Sequence, residues 1–144
     1  LGECTTGKHL LTGGGVPAER VPELSKQLGA PLCDHLTSRY GSNWDAVGRL
    51  VASGQGYSQR LVADLPYVEG ELVHALREEG ALTLEDLLVR RTDIYHKAPE
   101  QGLECLETAA DRASTQLGWD ATRRESEMEQ YRACVALSRR YRGQ

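Results

Sequence analysis

Through most of the chain the apolar positions return at steps of three and four rather than two, the period of helices that each bury one face. The clearest instance is LPYVEGELVHALREEGALTLEDLLVRRT, from Leu65 to Thr92. Val68, Leu72, Val73 and Leu76 line one side of a helix there, which leaves Glu69, Glu71, Arg77 and Glu78 largely on the solvated remainder. Gly80 suits the left-handed conformation that ends a helix. Thr83-Leu84-Glu85-Asp86 has the form of a capping box, in which the Thr83 hydroxyl and the Asp86 carboxylate satisfy backbone N–H groups that have no partner within the helix. A second helix therefore starts at Leu84 and sets Leu84, Leu87, Leu88 and Arg91 on one face. Glu85 and Asp86 stand at its positive end, and Arg90 and Arg91 at its negative end.

The same pattern organises the rest. Residues 1–17 are a Gly- and Thr-rich lead-in without helical period, ending its glycine run at Gly15, and residues 18–144 form the helical domain. A short helix is expected over Ala18 to Leu28, with Val21, Leu24 and Leu28 in register, Pro22 in or before its first turn and Gly29 as its stop. Pro31 opens the next, which turns Leu32 and Leu36 inward and stops at Gly41 after Arg39 and Tyr40. Ser42 is expected to cap a third, carrying Trp44, Val47, Leu50 and Val51 and ending in Ser53-Gly54-Gln55-Gly56. The longest break runs from Gly54 to Pro66, and DIYHKAPEQG after Thr92 is expected to cross the surface. Leu103, Leu106, Ala110, Ala113 and Leu117 mark a further helix closed by Gly118. Trp119 is expected to be buried between it and the last helix, which Asp120 or Thr122 caps with Glu125 as partner. That helix passes through Met128, Tyr131 and Val135 to Leu137 or Ser138 and ends in Arg139, Arg140 and Arg142. No segment alternates as a strand does. The fold class is all-α, a compact domain of about five to six helices.

Composition narrows the chemistry. With 144 residues the chain amounts to one domain, and no apolar run approaches the roughly 20 residues of a membrane-spanning helix. A net charge of -4 argues against nucleic-acid binding through bulk electrostatics, and a helix-turn-helix reading of the pair would bring Glu85 and Asp86 to the phosphates. Cys4, Cys33, Cys105 and Cys134 form no C-x-x-C pair and are expected as reduced thiols. His9, His35, His74 and His96 are too scattered for a metal site and are expected in solvent or at the core's edge. Gly13, Gly15 and Ala18 fit a G-x-G-x-x-A dinucleotide fingerprint by spacing, but no convincing strand precedes them. The carboxylates Glu69, Glu71, Glu78 and Glu79 are expected on solvated faces. Of the cations, Arg91 on the apolar side reads either as burying its stem to pair with a carboxylate or as a solvated cation at a helix end, and Arg90 reads as the latter.

The phrase LPY-x-x-GELVHALREE followed by TLEDLLVRRT resembles the C-terminal helical domain of FAD-dependent, quinone-linked glycerol-3-phosphate dehydrogenases. LTSRYGS at Leu36 to Ser42, LGWD at Leu117 to Asp120 and E-x-E-x-x-Q-Y ending at Tyr131 follow in the family's order. The chain departs from the family at Gly80 and Leu82, where a bulky residue and an Arg are typical, and at His74, where an aromatic often stands. The resemblance implies a parent enzyme that oxidises glycerol 3-phosphate to dihydroxyacetone phosphate through FAD held upstream. It implies an accessory role for this piece, with no catalytic, cofactor or metal residue of its own. Tyr40, Arg77, Thr83, Asp86, Arg91, Thr92, Trp119 and Tyr131 are the candidate structural and interdomain residues. The expected partner is the parent's own N-terminal flavin domain, with a homo-oligomer or a peripheral membrane surface as further partners and no nucleic acid. The expected location is the cytoplasm or the inner face of the cell membrane. A start at Leu1 rather than Met, with Met128 the sole methionine, fits a piece of a longer protein. The rival reading is a free-standing helical interaction or regulatory module that docks through the Tyr67 to Thr92 pair.

Overall fold

The computed structural model describes residues 5–9, 13–14 and 21–140, and among them the chain forms α-helices, short 3-10 turns and one π-helical segment, with no strand. Helix α1 spans Val21–Leu28, α2 Ala30–Tyr40 and α3 Trp44–Ala52. The expected stripes are met in part: Leu36 of α2 and Trp44, Val47 and Val51 of α3 are buried together with Cys33 and Tyr40, while Leu24, Leu28 and Leu32 pack against them partly buried and Leu50 is half-buried. The first expected helix begins at Ala18, and the part before Val21 lies outside the described residues, as do Gly15 and Ala18 of the dinucleotide spacing. Ser42 does not cap α3. It sits in a 3-10 turn, Gly41–Asn43, and its hydroxyl oxygen instead accepts the Gly13 N–H at 3.0 Å.

After a long loop tied by one antiparallel bridge between Arg60 and Val68, α4 (Glu69–Glu78) runs through the middle of the domain. It packs on α3 on one side and on α6 (Leu106–Leu117) on the other, so every residue from Gly70 to Leu76 is buried. Gly70 permits the approach to α3, since a Cβ there would lie 2.6 Å from Val51 Cγ2. A second core gathers Leu72, Leu76, Leu84, Leu87 and Leu88 with Leu106, Ala109 and Ala113 of α6 and Met128, Tyr131 and Val135 of α7 (Ala121–Ser138). The segment after Thr92 is no mere surface crossing. It forms the short helix α5 (Ile94–Lys97), and Ile94, Ala98 and Gly102 are buried in this second core's wall.

The expected caps hold in part. Asp120 caps α7 by accepting the Arg123 N–H at 2.7 Å, whereas Glu125 pairs with Arg132 rather than closing a capping box. Trp119 is only partly buried, its ring covered by the Arg123 guanidinium at 5.7 Å. Helix α7 ends at Ser138, and Arg139 turns back to Glu100 and Gln101 instead of extending into solvent. Cys33, Cys105 and Cys134 are free thiols; Cys4 lies outside the described residues.

Candidate functional site

Helix α4, whose first residue is preceded by Val68 of the first core and which gives Leu72 and Leu76 to the second, also carries a buried polar group. Glu71 follows Val68 by three and precedes Ala75 by four, so it falls on the apolar stripe and not on the solvated face expected for it. Its side chain is fully buried. The carboxylate accepts from His35 Nε2 at 3.0 and 3.2 Å, from the Tyr40 hydroxyl at 3.1 Å and from the Val68 N–H at 2.9 Å. The last of these satisfies a first-turn N–H of α4. A carboxylate only accepts, so His35 carries its proton on Nε2 in this contact. Burial first, and the Glu71 charge second, push the Tyr40 hydroxyl well above its ordinary value and keep it a donor.

Arg39 extends the cluster outward. Its Nε stands 3.9 Å from Glu71, one terminal nitrogen donates to Asp93 at 3.0 Å, and the other donates to the Arg91 carbonyl. The hydrogen bond from Arg39 holds the Asp93 carboxyl below the usual range. Arg39 and Lys97 both lie over the Tyr67 ring, at 5.3 and 5.4 Å, and Lys97 donates to the Tyr67 hydroxyl at 2.8 Å. His74, where the resembling family often has an aromatic, packs edge-on against Tyr40 with ring centroids 5.5 Å apart.

The second helix of the pair starts at Leu84 as expected, and its capping box is formed: Asp86 accepts from the Leu82 and Thr83 N–H groups, and the Thr83 hydroxyl accepts from the Asp86 N–H. From Asp86 to Arg91, however, it is π-helical. The Leu87 carbonyl accepts the Thr92 N–H at 3.0 Å and the Thr92 hydroxyl at 2.8 Å, a partner five residues on instead of four. Thr92 therefore takes the buried place beneath Leu87 and Leu88 that an α-helix would give to Arg91. Arg91 is displaced to the rim, 41% exposed, where it donates to the Glu79 carbonyl at 2.8 Å. There Arg39, Tyr40, Glu79, Arg90 and Arg91 line an open hollow of about 560 Å³.

Of the candidate residues, Tyr40 and Arg91 meet at this hollow, and Thr83, Asp86 and Thr92 shape the segment that builds it. Arg77 lies elsewhere, donating to Gln116 of α6 at 2.7 Å. Tyr131 is buried and donates to the Gln101 carbonyl at 2.6 Å, which ties α7 to the loop after α5. Sequence reasoning passed over Glu71, His35, Arg39, Asp93 and a second buried acid, Glu127. Glu127 accepts the Leu84 N–H at 3.1 Å and pairs with Arg123 at 2.5 Å. The available signal was positional: both acids sit on the apolar stripe of their helix.

Among the described residues no group of three or more His, Cys, Asp or Glu side chains is placed to hold a metal ion. The described residues also supply no strand from which a dinucleotide-binding turn could lead into a helix. No helix among them is long and apolar enough to cross a membrane.

A family model described as the C-terminal domain of alpha-glycerophosphate oxidase matches residues 4–124. The chain is 35% identical over 101 residues to glycerol-3-phosphate dehydrogenase 2 of Mycobacterium tuberculosis, covering 70% of this chain and 17% of that protein. It is 29% identical over 98 residues to a probable mitochondrial glycerol-3-phosphate dehydrogenase of Dictyostelium discoideum, covering 68% and 15%. To the mitochondrial glycerol-3-phosphate dehydrogenase of Rattus norvegicus it is 27% identical over 123 residues, covering 84% and 15%. The chain thus spans a small fraction of the length of these relatives. No solved structure matches it.

Proposed function

From a chain that belongs to the family of the C-terminal domain of alpha-glycerophosphate oxidase, we propose an accessory, non-catalytic domain of an FAD-dependent glycerol-3-phosphate dehydrogenase. The parent oxidises sn-glycerol 3-phosphate to dihydroxyacetone phosphate and passes the electrons to quinone. FAD belongs to the parent's upstream part, and this domain contributes none of its ligands. The extent of the match carries this reading: residues 4–124 align with a model of a C-terminal domain, while the chain covers only 17% of the mycobacterial dehydrogenase.

The internal geometry suits a rigid support. Its strongest polar groups point inward: Glu71 and Glu127 hold helices to one another, and Tyr40 and Tyr131 spend their hydroxyls on internal acceptors. The helix pair packs beside the flavin-bearing part, with the hollow between α2 and the π-helical segment at that contact. Contacts to a second copy or to the membrane surface at the cytoplasmic face are secondary.

The test compares the intact parent protein with the 144-residue chain alone. The intact protein should carry flavin and reduce a quinone analogue when given glycerol 3-phosphate, and the chain alone should do neither. Flavin retained by the chain alone, or an intact protein without this activity, would sink the proposal.

A further inference from the structure

The hollow framed by Arg39, Tyr40, Glu79, Arg90 and Arg91 is built from three guanidinium groups and one carboxylate, and two of the three cations are hydrogen-bonded to carboxylates outside it. Arg39 spends its terminal nitrogens on Asp93 and the Arg91 carbonyl, while Arg90 donates to Asp86 at 2.9 Å and to Glu85 at 2.5 Å. Arg91 differs. One of its terminal nitrogens serves the Glu79 carbonyl, and its Nε is buried with no hydrogen-bond partner among the described residues. The nearest acid, Glu79, stands 3.9 Å from that Nε and is shared with His74 at 3.7 Å. The buried Nε is closed to an incoming group, but the side chain is 41% exposed, so the fork that a carboxylate can meet through two parallel bonds is the one between the two terminal nitrogens. The π-helical register is what places this fork at the rim.

The lead-in passes the same spot. Gly13 donates its N–H to Ser42, and a Cβ on Gly41 would fall on the Gly13 carbonyl, so Gly13 lies against the junction of α2 and α3, next to the Tyr40 backbone. Any body that precedes the lead-in is tethered beside the hollow, which gives its surface groups a high effective concentration there. One under-satisfied cation, with Glu79 in the wall, matches a single carboxylate better than a dianion.

We propose that the hollow seats an Asp or Glu side chain from the upstream part of the same polypeptide, and that Arg91 grips it as a latch between the helical domain and the body it accompanies. This rests on the accessory-domain reading above.

The test uses the intact protein with a recognition sequence for a site-specific protease inserted after Lys8 and cut there, with gel filtration to follow whether the helical domain stays with the body. Wild type should remain attached. Arg91→Lys, which keeps the charge but loses the fork, should release about tenfold faster, and Arg91→Glu faster still. Arg77→Glu, on the α6 side, should not release. Amide exchange in Leu72 to Leu76 reports whether Arg91→Glu leaves the domain folded; if it does not, Arg90→Glu on the hollow wall replaces it. If wild type and both Arg91 variants stay attached equally, the latch fails while the packing stands. If wild type itself falls away on cleavage, the accessory packing fails first. Release by Arg77→Glu as fast as by Arg91→Glu would show bulk charge rather than a seat and overturn the latch. Protection of residues 86–92 in the intact protein on adding inorganic phosphate would also overturn it, because the hollow would then be open and take a free anion.

Discussion

Replacing Glu71 removes the acceptor shared by His35 and Tyr40 of α2 and by the Val68 N–H at the start of α4. With Glu71→Ala, His35, the Tyr40 hydroxyl and the Val68 N–H all lose their partner inside a region closed to water, and Arg39 loses a neighbour at 3.9 Å. Removing one member of a buried, hydrogen-bonded pair costs about 3–5 kcal/mol. Glu71→Gln is the sharper probe because it keeps the volume. Its single carbonyl oxygen can still accept from His35 and Tyr40, but its NH2 then faces the Val68 N–H, donor against donor. One buried N–H without an acceptor costs about 1–3 kcal/mol. For a domain of this size each kcal/mol shifts Tm by about 3–4 °C, so Glu71→Ala should lower it by roughly 9–20 °C and Glu71→Gln by roughly 3–12 °C. Thermal unfolding followed by circular dichroism at fixed pH, with urea titration to confirm an unchanged slope, measures both. If Glu71→Gln were within about 0.5 kcal/mol of wild type, the typical range for surface substitutions, the carboxylate would not be the buried tie described above.

Other consequences follow from the same geometry. Asp93 has φ 56, a left-handed backbone that Asp and Asn tolerate and Ala does not, so Asp93→Ala should cost roughly 1–2 kcal/mol and Asp93→Asn less, read by urea denaturation. Because Arg39 holds the Asp93 carboxyl below its ordinary 3.8, the folded state binds fewer protons than the unfolded one there. This contribution is present above about pH 4 and is lost as pH falls through the folded value; Asp93→Asn should flatten that acid slope. Thr83→Ala removes the hydroxyl that accepts the Asp86 N–H and should cost about 1 kcal/mol by the same measurement. Burial, with Glu104 nearby, pushes the Cys105 thiol up from 9.0 to about 12. A maleimide should therefore label Cys134 first in the folded protein and reach Cys105 only on unfolding, followed by mass spectrometry. The raised value also means that Cys105's share of stability is intact below 9.0 and drains away as pH climbs toward about 12.

The helices were legible because their causes are local. The three–four period of Val68, Leu72, Val73 and Leu76, the stop at Gly80 and the Thr83–Asp86 cap act within a few residues, and the structure keeps all of them. The same short reach explains the errors. Ser42 has a capping residue's chemistry, but its oxygen is taken by Gly13, 29 positions away. Asp93 to Lys97 reads as a surface crossing until Ile94 is set against the second core. The expected α-helix from Leu84 becomes π-helical once Thr92 closes on the Leu87 carbonyl, and that decides where Arg91 points.

By itself, then, the sequence determined an all-α domain, the positions of most of its helix ends and, through LPY-x-x-GELVHALREE, TLEDLLVRRT and their companions, the family. Those properties depend on composition, period and nearest neighbours along the chain. Only the tertiary structure decided which charges are buried and which cations meet. Glu71 finds His35 and Tyr40 across 36 and 31 residues, and Arg39 finds Asp93 across 54. A carboxylate's tolerance of burial depends on the donors that converge on it, and that convergence exists only once α2, α4 and the segment after Thr92 are packed together.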